Sequence, residues 1–244
     1  MSWLAGKVIE NRRWTDALFS LRVEGVKVAF EAGQFVRIAL DMEKGNEGSR
    51  VARPFSFVNP PHDPVLEFYG IVVPEGPLSP RLARLVPGDT LFVASNPAGF
   101  LVLSEVPDAA TLWMMCTGTG IAPFLSILRT EAPWQRFRNV VLVHAVRHAR
   151  ELVYRDVFTP MNLTYVSFVS REAAPGSLAG RIPAAVRDGR LEAAAGLEVA
   201  PETSHVMLCG NPDMLKDTAA ALVERGMRKH RRRSPGHITV ESFW

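Results

Sequence analysis

Apolar residues in this chain follow one period for about the first hundred positions and a different one afterwards, and few folds satisfy both halves. The early runs WTDALFSLRV, GQFVRIAL, VLEFYGIVV and DTLFVA are short and rich in β-formers. In GQFVRIAL, Val36, Ile38 and Leu40 fall on one face and Phe35 and Arg37 on the other, a period of two. Gly33, Pro60, Pro61, Gly76, Pro77, Pro87 and Gly88 punctuate the runs. Close-spaced short strands argue for a small antiparallel barrel or sandwich. One helix is expected at 79–86, with Ser79 able to cap it and a proline at its start.

Past roughly residue 105 the runs TLWMMC, NVVLVHAV, LTYVSFVS and SHVMLCG are almost wholly apolar. Strands covered on both faces of a parallel sheet read this way. Helical segments are expected between them at 123–132 and 212–227, the second with Met214, Leu215, Ala219, Leu222 and Val223 at helical spacing. Strand and helix alternation implies a doubly wound parallel sheet. The expected organisation is an antiparallel β-barrel over 1–106 and an α/β domain over 107–244.

Composition narrows the function classes. Two cysteines, Cys116 and Cys209, cannot supply a disulfide scaffold or a four-cysteine cluster. No basic segment followed by an apolar run opens the chain, and no apolar run approaches the roughly 20 residues of a membrane span, so a cytoplasmic protein without membrane contact is expected. The formal net charge is only +3, but RGMRKHRRR at 225–233 concentrates basic residues. It reads as a solvated helix end, as a docking patch for an acidic partner, or as a nucleic-acid patch. No aromatic interleaving supports the last, and no nucleic acid is expected.

In an open α/β sheet, ligands sit outside the carboxyl ends of the strands. TLWMMC leads into TGTGIAP, where Gly118 and Gly120 open a helix and offer a phosphate site, although Pro123 stands where a third glycine would be. NVVLVHAV leads to Arg147 and His148, LTYVSFVS ends at Ser170 before Arg171, and Arg181 follows in GSLAGRIP. Arginine forks suit phosphate oxygens, and a phosphate beyond the pyrophosphate points to NADP rather than NAD. CGNP brings Cys209 and Asn211 to the same edge, with packing favoured over covalent catalysis for Cys209. The end of the chain, HITVESFW, delivers Glu241, Phe243 and Trp244. In the first half, Arg53 and Phe55 share one strand face and Pro54 and Ser56 the other, on an edge strand because Pro54 cannot donate to a central ladder. EGPLSPRL offers a second anion site, so two nucleotides meeting at a domain junction are expected.

RPFS, GPLS, GTGIAPFLSIL, CGNPDM and the aromatic end, in that order and over essentially the whole chain, resemble the bacterial type of ferredoxin/flavodoxin–NADP reductases. The resemblance implies an FAD-binding barrel followed by an NADP-binding domain, and electron exchange between NADP(H) and ferredoxin or flavodoxin. It implies that Arg53 pairs with the FAD pyrophosphate, that Phe55 lies against the isoalloxazine beside Pro54, and that Ser56 places its hydroxyl near flavin N5. Tyr69, Gly70, Ile71 and Val72 would line the flavin, Pro77, Leu78 and Ser79 would hold its pyrophosphate, and Thr119 would touch it from the second domain. Arg147, Arg171 and Arg181 would bind the 2′-phosphate, with Gly118, Gly120, His148, Ser170 and Asn211 completing the NADP site. Cys209 and Glu241 would flank the nicotinamide, Phe243 would cover the flavin's other face, and Trp244 would stack on its adenine. Members more often carry tyrosine at the positions of Phe55 and Phe243; here the ring is kept and the hydroxyl lost. The alternatives are a related NAD(P)H oxidoreductase feeding a separate haem or iron–sulfur protein, and a flavin-binding nucleic-acid regulator. A monomer is expected.

Overall fold

The structure, a computed structural model, describes residues 2–43 and 46–242. The chain divides into two compact units, Met1–Gly99 with Ala122–Arg129, and Phe100–Ile121 with Thr130–Trp244.

The first unit holds β1 (Trp3–Arg13), β2 (Leu18–Glu24), β3 (Phe35–Asp41), β4 (Arg50–Ser56), β5 (Leu66–Ile71) and β6 (Thr90–Ala94). They form one six-stranded antiparallel sheet in the order β4-β3-β6-β1-β2-β5. Its two end strands approach each other, because Phe57 bridges Phe68 and Val58 N–H donates to Glu67 O at 2.9 Å, so the sheet curls toward a barrel. A bulge in β1 between Val8 and Glu10 supplies local bend. The period of two holds over the first half of β3, where Val36 and Ile38 are buried, Phe35 is half-buried and Arg37 is exposed; beyond it Ala39 and Leu40 are both buried. Pro54 sits in an end strand of the order, as a residue without an N–H must. The core gathers Phe19, Leu21, Ile38, Phe57, Phe68 and Leu91, with Phe30 stacked on Phe57 at 3.8 Å between centroids.

The helix expected at 79–86 is shorter. It is α1 (Ser79–Leu82), Leu78 occupies the N-cap, and the Ser79 hydroxyl instead accepts from Val73 N–H at 2.9 Å. The segment expected as one helix at 123–132 is two, α2 (Ala122–Leu128) and α3 (Ala132–Arg136), with residues 129–131 between them; Pro133 sits in the first turn of the second, where its missing N–H costs no helical hydrogen bond. Within the first unit, α2 is tied down by Ser126, whose hydroxyl donates to Asn59 O at 2.7 Å.

The second unit is a six-stranded parallel sheet of β7 (Thr111–Thr117), β8 (Asn139–Val146), β9 (Thr164–Val169), β10 (Leu178–Ala179), β11 (Ser204–Gly210) and β12 (Ile238–Ser242), in the order β10-β9-β8-β7-β11-β12. Strand order reverses between β7 and β11, which makes the gap at their carboxyl ends the topological switch point. The remaining helices are α4 (Arg155–Phe158), α5 (Ile182–Arg187), α6 (Arg190–Ala195) and α7 (Pro212–Glu224). Alternate strand residues, Trp113 and Met115, Val141 and Val143, Val166 and Phe168, Val206 and Leu208, pack with Ile182, Val186, Leu191, Leu215 and Leu222. The residues between them are buried as well, which explains the unbroken apolar runs. Of the spacing read in 212–227, Met214, Leu215, Ala219 and Leu222 are buried, but Val223 is 49% exposed. The helix ends at Glu224 with Arg225 as its C-cap, before Gly226 with its φ of +87°, so only the start of 225–233 is a helix end and the rest runs on beyond it. No helix among the described residues is long and apolar enough to cross a membrane.

Asn211 starts α7, its side-chain oxygen accepting from Asp213 N–H at 2.9 Å and Met214 N–H at 3.2 Å. Asn211→Ala strands both donors and should cost about 1 kcal/mol, read as a lower urea midpoint, whereas Asn211→Asp should hold near the parent value.

Candidate functional site

Parallel pairing lines up a polar row across the second sheet. Glu241 on β12 pairs with Cys209 on β11, Cys209 with Cys116 on β7, Cys116 with His144 on β8, and His144 with Ser167 on β9. Residues in register on neighbouring strands project to one face, so these side chains share a level. All are buried. Burial pushes both thiols up, so they stay protonated and poorly nucleophilic, in line with the packing role expected of Cys209. His144 is pushed down to about 4 by burial, opposed by its hydrogen bond to Gly118 O. That contact, Nε2 to Gly118 O at 3.1 Å, makes Nε2 the protonated nitrogen of a neutral ring. His144 was not singled out from the sequence; its signal is a lone imidazole in an otherwise apolar strand.

Glu241 ends the row. Its Oε2 accepts from Phe100 N–H at 2.9 Å, while Oε1 is buried and has no hydrogen-bond partner among the described residues. Desolvation raises the carboxyl to about 7, and the Phe100 hydrogen bond opposes that rise. An acid poised near neutrality with an unspent oxygen can hold a proton or accept a hydrogen bond from an amide.

Above the row, the switch point is tightly built. Gly118 has φ of +52°, and Thr119 lies half-buried in the 3-10 turn Gly118–Ile121 that leads into α2. A Cβ on Gly120 would lie 2.7 Å from Cys209 O, so a glycine is needed for this turn to close on β11. Thr117 Oγ1 accepts from Asn211 N–H at 2.9 Å, linking the ends of β7 and β11. Gly120 therefore serves packing, and Asn211 spends its carbonyl oxygen as a cap.

The arginines stand along the same carboxyl edge. Arg147 follows β8, Arg171 follows β9 after Ser170, and Arg171 N–H donates to Arg147 O at 3.0 Å. Arg181 follows β10, which pairs with β9 through Ala179 and Val169. Each is exposed and forms no ion pair among the described residues. Ser170 Oγ donates to Val146 O at 3.2 Å. His148 Nδ1 meets Glu172 Oε2 at 3.2 Å, and Ala149 N–H donates to Glu172 Oε1 at 2.7 Å, so Glu172 orders the turn that carries Arg147.

In the first unit, the expected flavin residues lie on β4, on and just after β5, and around the start of α1. Arg53 is exposed, with Nη1 donating to Ala52 O at 2.8 Å. Phe55 reaches over Gly70: a Cβ there would lie 2.7 Å from Phe55 Cε1 and 3.0 Å from Phe19 Cζ. Ser56 is buried and its Oγ has no hydrogen-bond partner among the described residues. Tyr69 is buried, Ile71 and Val72 are half-buried, and Leu78 is buried between exposed Pro77 and half-buried Ser79. A ring platform, an unspent hydroxyl and an exposed cation fit a flavin nucleotide. The roles given to Phe243 and Trp244 lie outside the described residues.

Residues 114–220 match the family described as the oxidoreductase NAD-binding domain. Flavodoxin/ferredoxin–NADP reductase of Shigella flexneri is 52% identical over 99% of this chain and 99% of its own, and that of Escherichia coli (strain K12) is 51% identical over the same shares. A ferredoxin NADP+ reductase from Neisseria gonorrhoeae, solved with bound FAD and NADP, is 32% identical, covers 100% of each chain and superposes with a TM-score of 0.94.

Glu241 is raised in the folded protein, so between about pH 4.5 and 7 the folded state binds more protons than the unfolded one and stability falls as pH rises. Unfolding curves across that window should show a loss of at most roughly 3 kcal/mol that is absent in Glu241→Gln.

Proposed function

The chain belongs to the flavodoxin/ferredoxin–NADP reductase family, and from that premise we propose that it exchanges electrons between NADP(H) and a one-electron carrier, ferredoxin or flavodoxin, through FAD. The observation that carries this reading is the carboxyl edge of the parallel sheet. Arg147, Arg171 and Arg181 follow neighbouring strands there with their guanidinium groups outside any ion pair among the described residues, on the sheet whose other flank ends in Glu241.

Bound FAD supplies the conversion between hydride and single electrons; the protein supplies position and electrostatics. On this reading Arg53 answers the FAD pyrophosphate, and Phe55 gives a ring face that Gly70 leaves room for. Ser56 donates its unspent hydroxyl to the flavin. Pro54, Tyr69, Ile71 and Val72 wall the site, and Pro77, Leu78 and Ser79 meet the pyrophosphate through the backbone. The three arginines select the 2′-phosphate of NADP(H), with His148 and Ser170 beside them. Glu241 Oε1 accepts from the nicotinamide carboxamide or passes a proton, and the Cys209 thiol packs beside it.

The carrier reading draws on 225–233. Arg225 is spent on Glu192 at 2.7 Å and Arg232 on Glu105 at 2.6 Å. Arg228, Lys229, Arg231 and Arg233 are exposed without an ion pair among the described residues, and they suit an acidic protein. The same proposal makes the chain a cytoplasmic monomer without a nucleic-acid partner; its two cysteines are buried free thiols, as a reducing compartment keeps them.

The purified protein should be yellow and should bleach when NADPH is added under anaerobic conditions; a colourless or unbleached protein ends the reading. Arg147→Ala and Arg171→Ala should each raise KM for NADPH about tenfold or more while leaving that for NADH in place. Reduction of an acidic flavodoxin should slow with salt, and Lys229→Glu with Arg231→Glu should slow it further at low salt while dye reduction is unchanged.

A further inference from the structure

We propose that Phe100 is a positioning residue for Glu241, held in place by the loop 228–236. The inference rests on the role given to Glu241 above.

Among the described residues, Phe100 N–H is the one hydrogen-bond donor to the Glu241 carboxyl, at 2.9 Å on Oε2, and Oε1 has none. The aim of the carboxyl therefore follows the backbone of Phe100. That backbone is steadied through its ring. The Phe100 ring stacks on the imidazole of His230, with centroids 5.7 Å apart and planes 19° apart. On the same ring rests the guanidinium of Arg232, 5.3 Å from the centroid. Arg232 is anchored in turn by Glu105, Nη2 to Oε1 at 2.6 Å and Nε to Oε1 at 2.7 Å.

His230 leads back to the strand that carries Glu241. Its N–H donates to Ile238 O at 2.7 Å, its Nδ1 accepts from Gly236 N–H at 3.2 Å, and it meets the His205 ring edge-on at 5.8 Å. His205 Nε2 and Thr239 Oγ1 lie 2.9 Å apart. Lys229 also bridges Ile238 in parallel, so the loop lines the outer edge of β12. The contacts close a circuit: β12 to the loop, the loop to the Phe100 ring, and Phe100 N–H to the carboxylate on β12. A backbone donor set within such a circuit loses little freedom when it grips its partner.

The choice of donor has a chemical consequence. A cation at this spot would lock Glu241 ionised, whereas one amide favours the charged form only modestly. The groups around it leave that balance alone. Cys209 beside it and Cys116 beyond are thiols pushed up by burial, and His205 is pushed down to about 3, mainly by burial. His230 faces the Phe100 ring, and Arg232 is spent on Glu105 and on that ring.

The test follows the Glu241 carboxyl in the FAD-loaded protein by NMR with 13C-labelled glutamate, its resonance identified by its loss in Glu241→Gln. Phe100→Leu keeps the N–H and removes the ring face; Arg232→Ala and Glu105→Gln loosen the outer anchor at the surface; Phe100→Tyr restores the ring. The midpoint of Glu241 should rise by about half a pH unit or more in Phe100→Leu and Arg232→Ala, because the bond that favours the charged form is weakened, and should stay at the parent value in Phe100→Tyr. Parent midpoints in Phe100→Leu, Arg232→Ala and Glu105→Gln alike overturn the proposal, and the two anchor variants decide it where Phe100→Leu does not fold. If the midpoint rises but the pH profile of NADPH-dependent dye reduction does not follow, the positioning of Glu241 by Phe100 stands and the role of Glu241 in the proposed function falls.

Discussion

In-register pairing of β7 with β11 and of β11 with β12 is the constraint from which the second unit's chemistry follows. It sets Cys116, Cys209 and Glu241 side by side at one level, with His144 continuing the row on the other flank of β7. A slip of one residue in either pairing would send Glu241 or Cys209 to the opposite face. Two close approaches hold that register at the top of the sheet. Gly120 presses its Cα side against the Cys209 carbonyl, and Thr117 Oγ1 takes the N–H of Asn211. Both positions need small or specific side chains for reasons of distance, before any ligand is considered.

The row is polar but nearly uncharged. Its thiols keep their protons and its imidazole stays neutral, so burial is not opposed by a desolvated charge. Glu241 alone in the row is poised near neutral pH. A single titrating group in a field of neutral neighbours responds cleanly to one added dipole or charge. On the proposed function, a nicotinamide carboxamide, which brings a donor and an acceptor and no charge of its own, would suit such a site.

Much of this was legible in the sequence, and the remainder fails for identifiable reasons. The change of period gave both sheets, because alternation in β3 and the unbroken runs of β7, β8 and β11 each follow from how many faces are covered. The edge placement of β4 followed from Pro54 having no N–H to give. Helix ends were less legible. Ser79 resembles a cap, yet its hydroxyl is taken by Val73 N–H, a contact set by the turn before it. The segment after Ala122 breaks at 129–131, and Pro133 marks the start of a new helix rather than the interior of a long one. The residues proposed for the site stand in motifs, but His144 and Phe100 do not, since one is a single polar residue in an apolar run and the other meets Glu241 through its backbone N–H. Partners 141 positions apart leave no local pattern to read.

The basic segment shows how far composition misleads. Read as a string, 225–233 is one patch of positive charge. In the structure it is two populations with different duties. Arg225 and Arg232 are consumed by Glu192 and Glu105, and Arg232 also lies over Phe100. The other cations of the segment point to solvent with no ion pair among the described residues. The consumed pair fixes the backbone, and the fixed backbone decides where the unconsumed charges stand. A cationic surface that keeps its shape loses less entropy on meeting an acidic partner than a flexible tail of equal charge. On the proposed carrier reading, the arginines that are internally paired would contribute to recognition through the ones that are not.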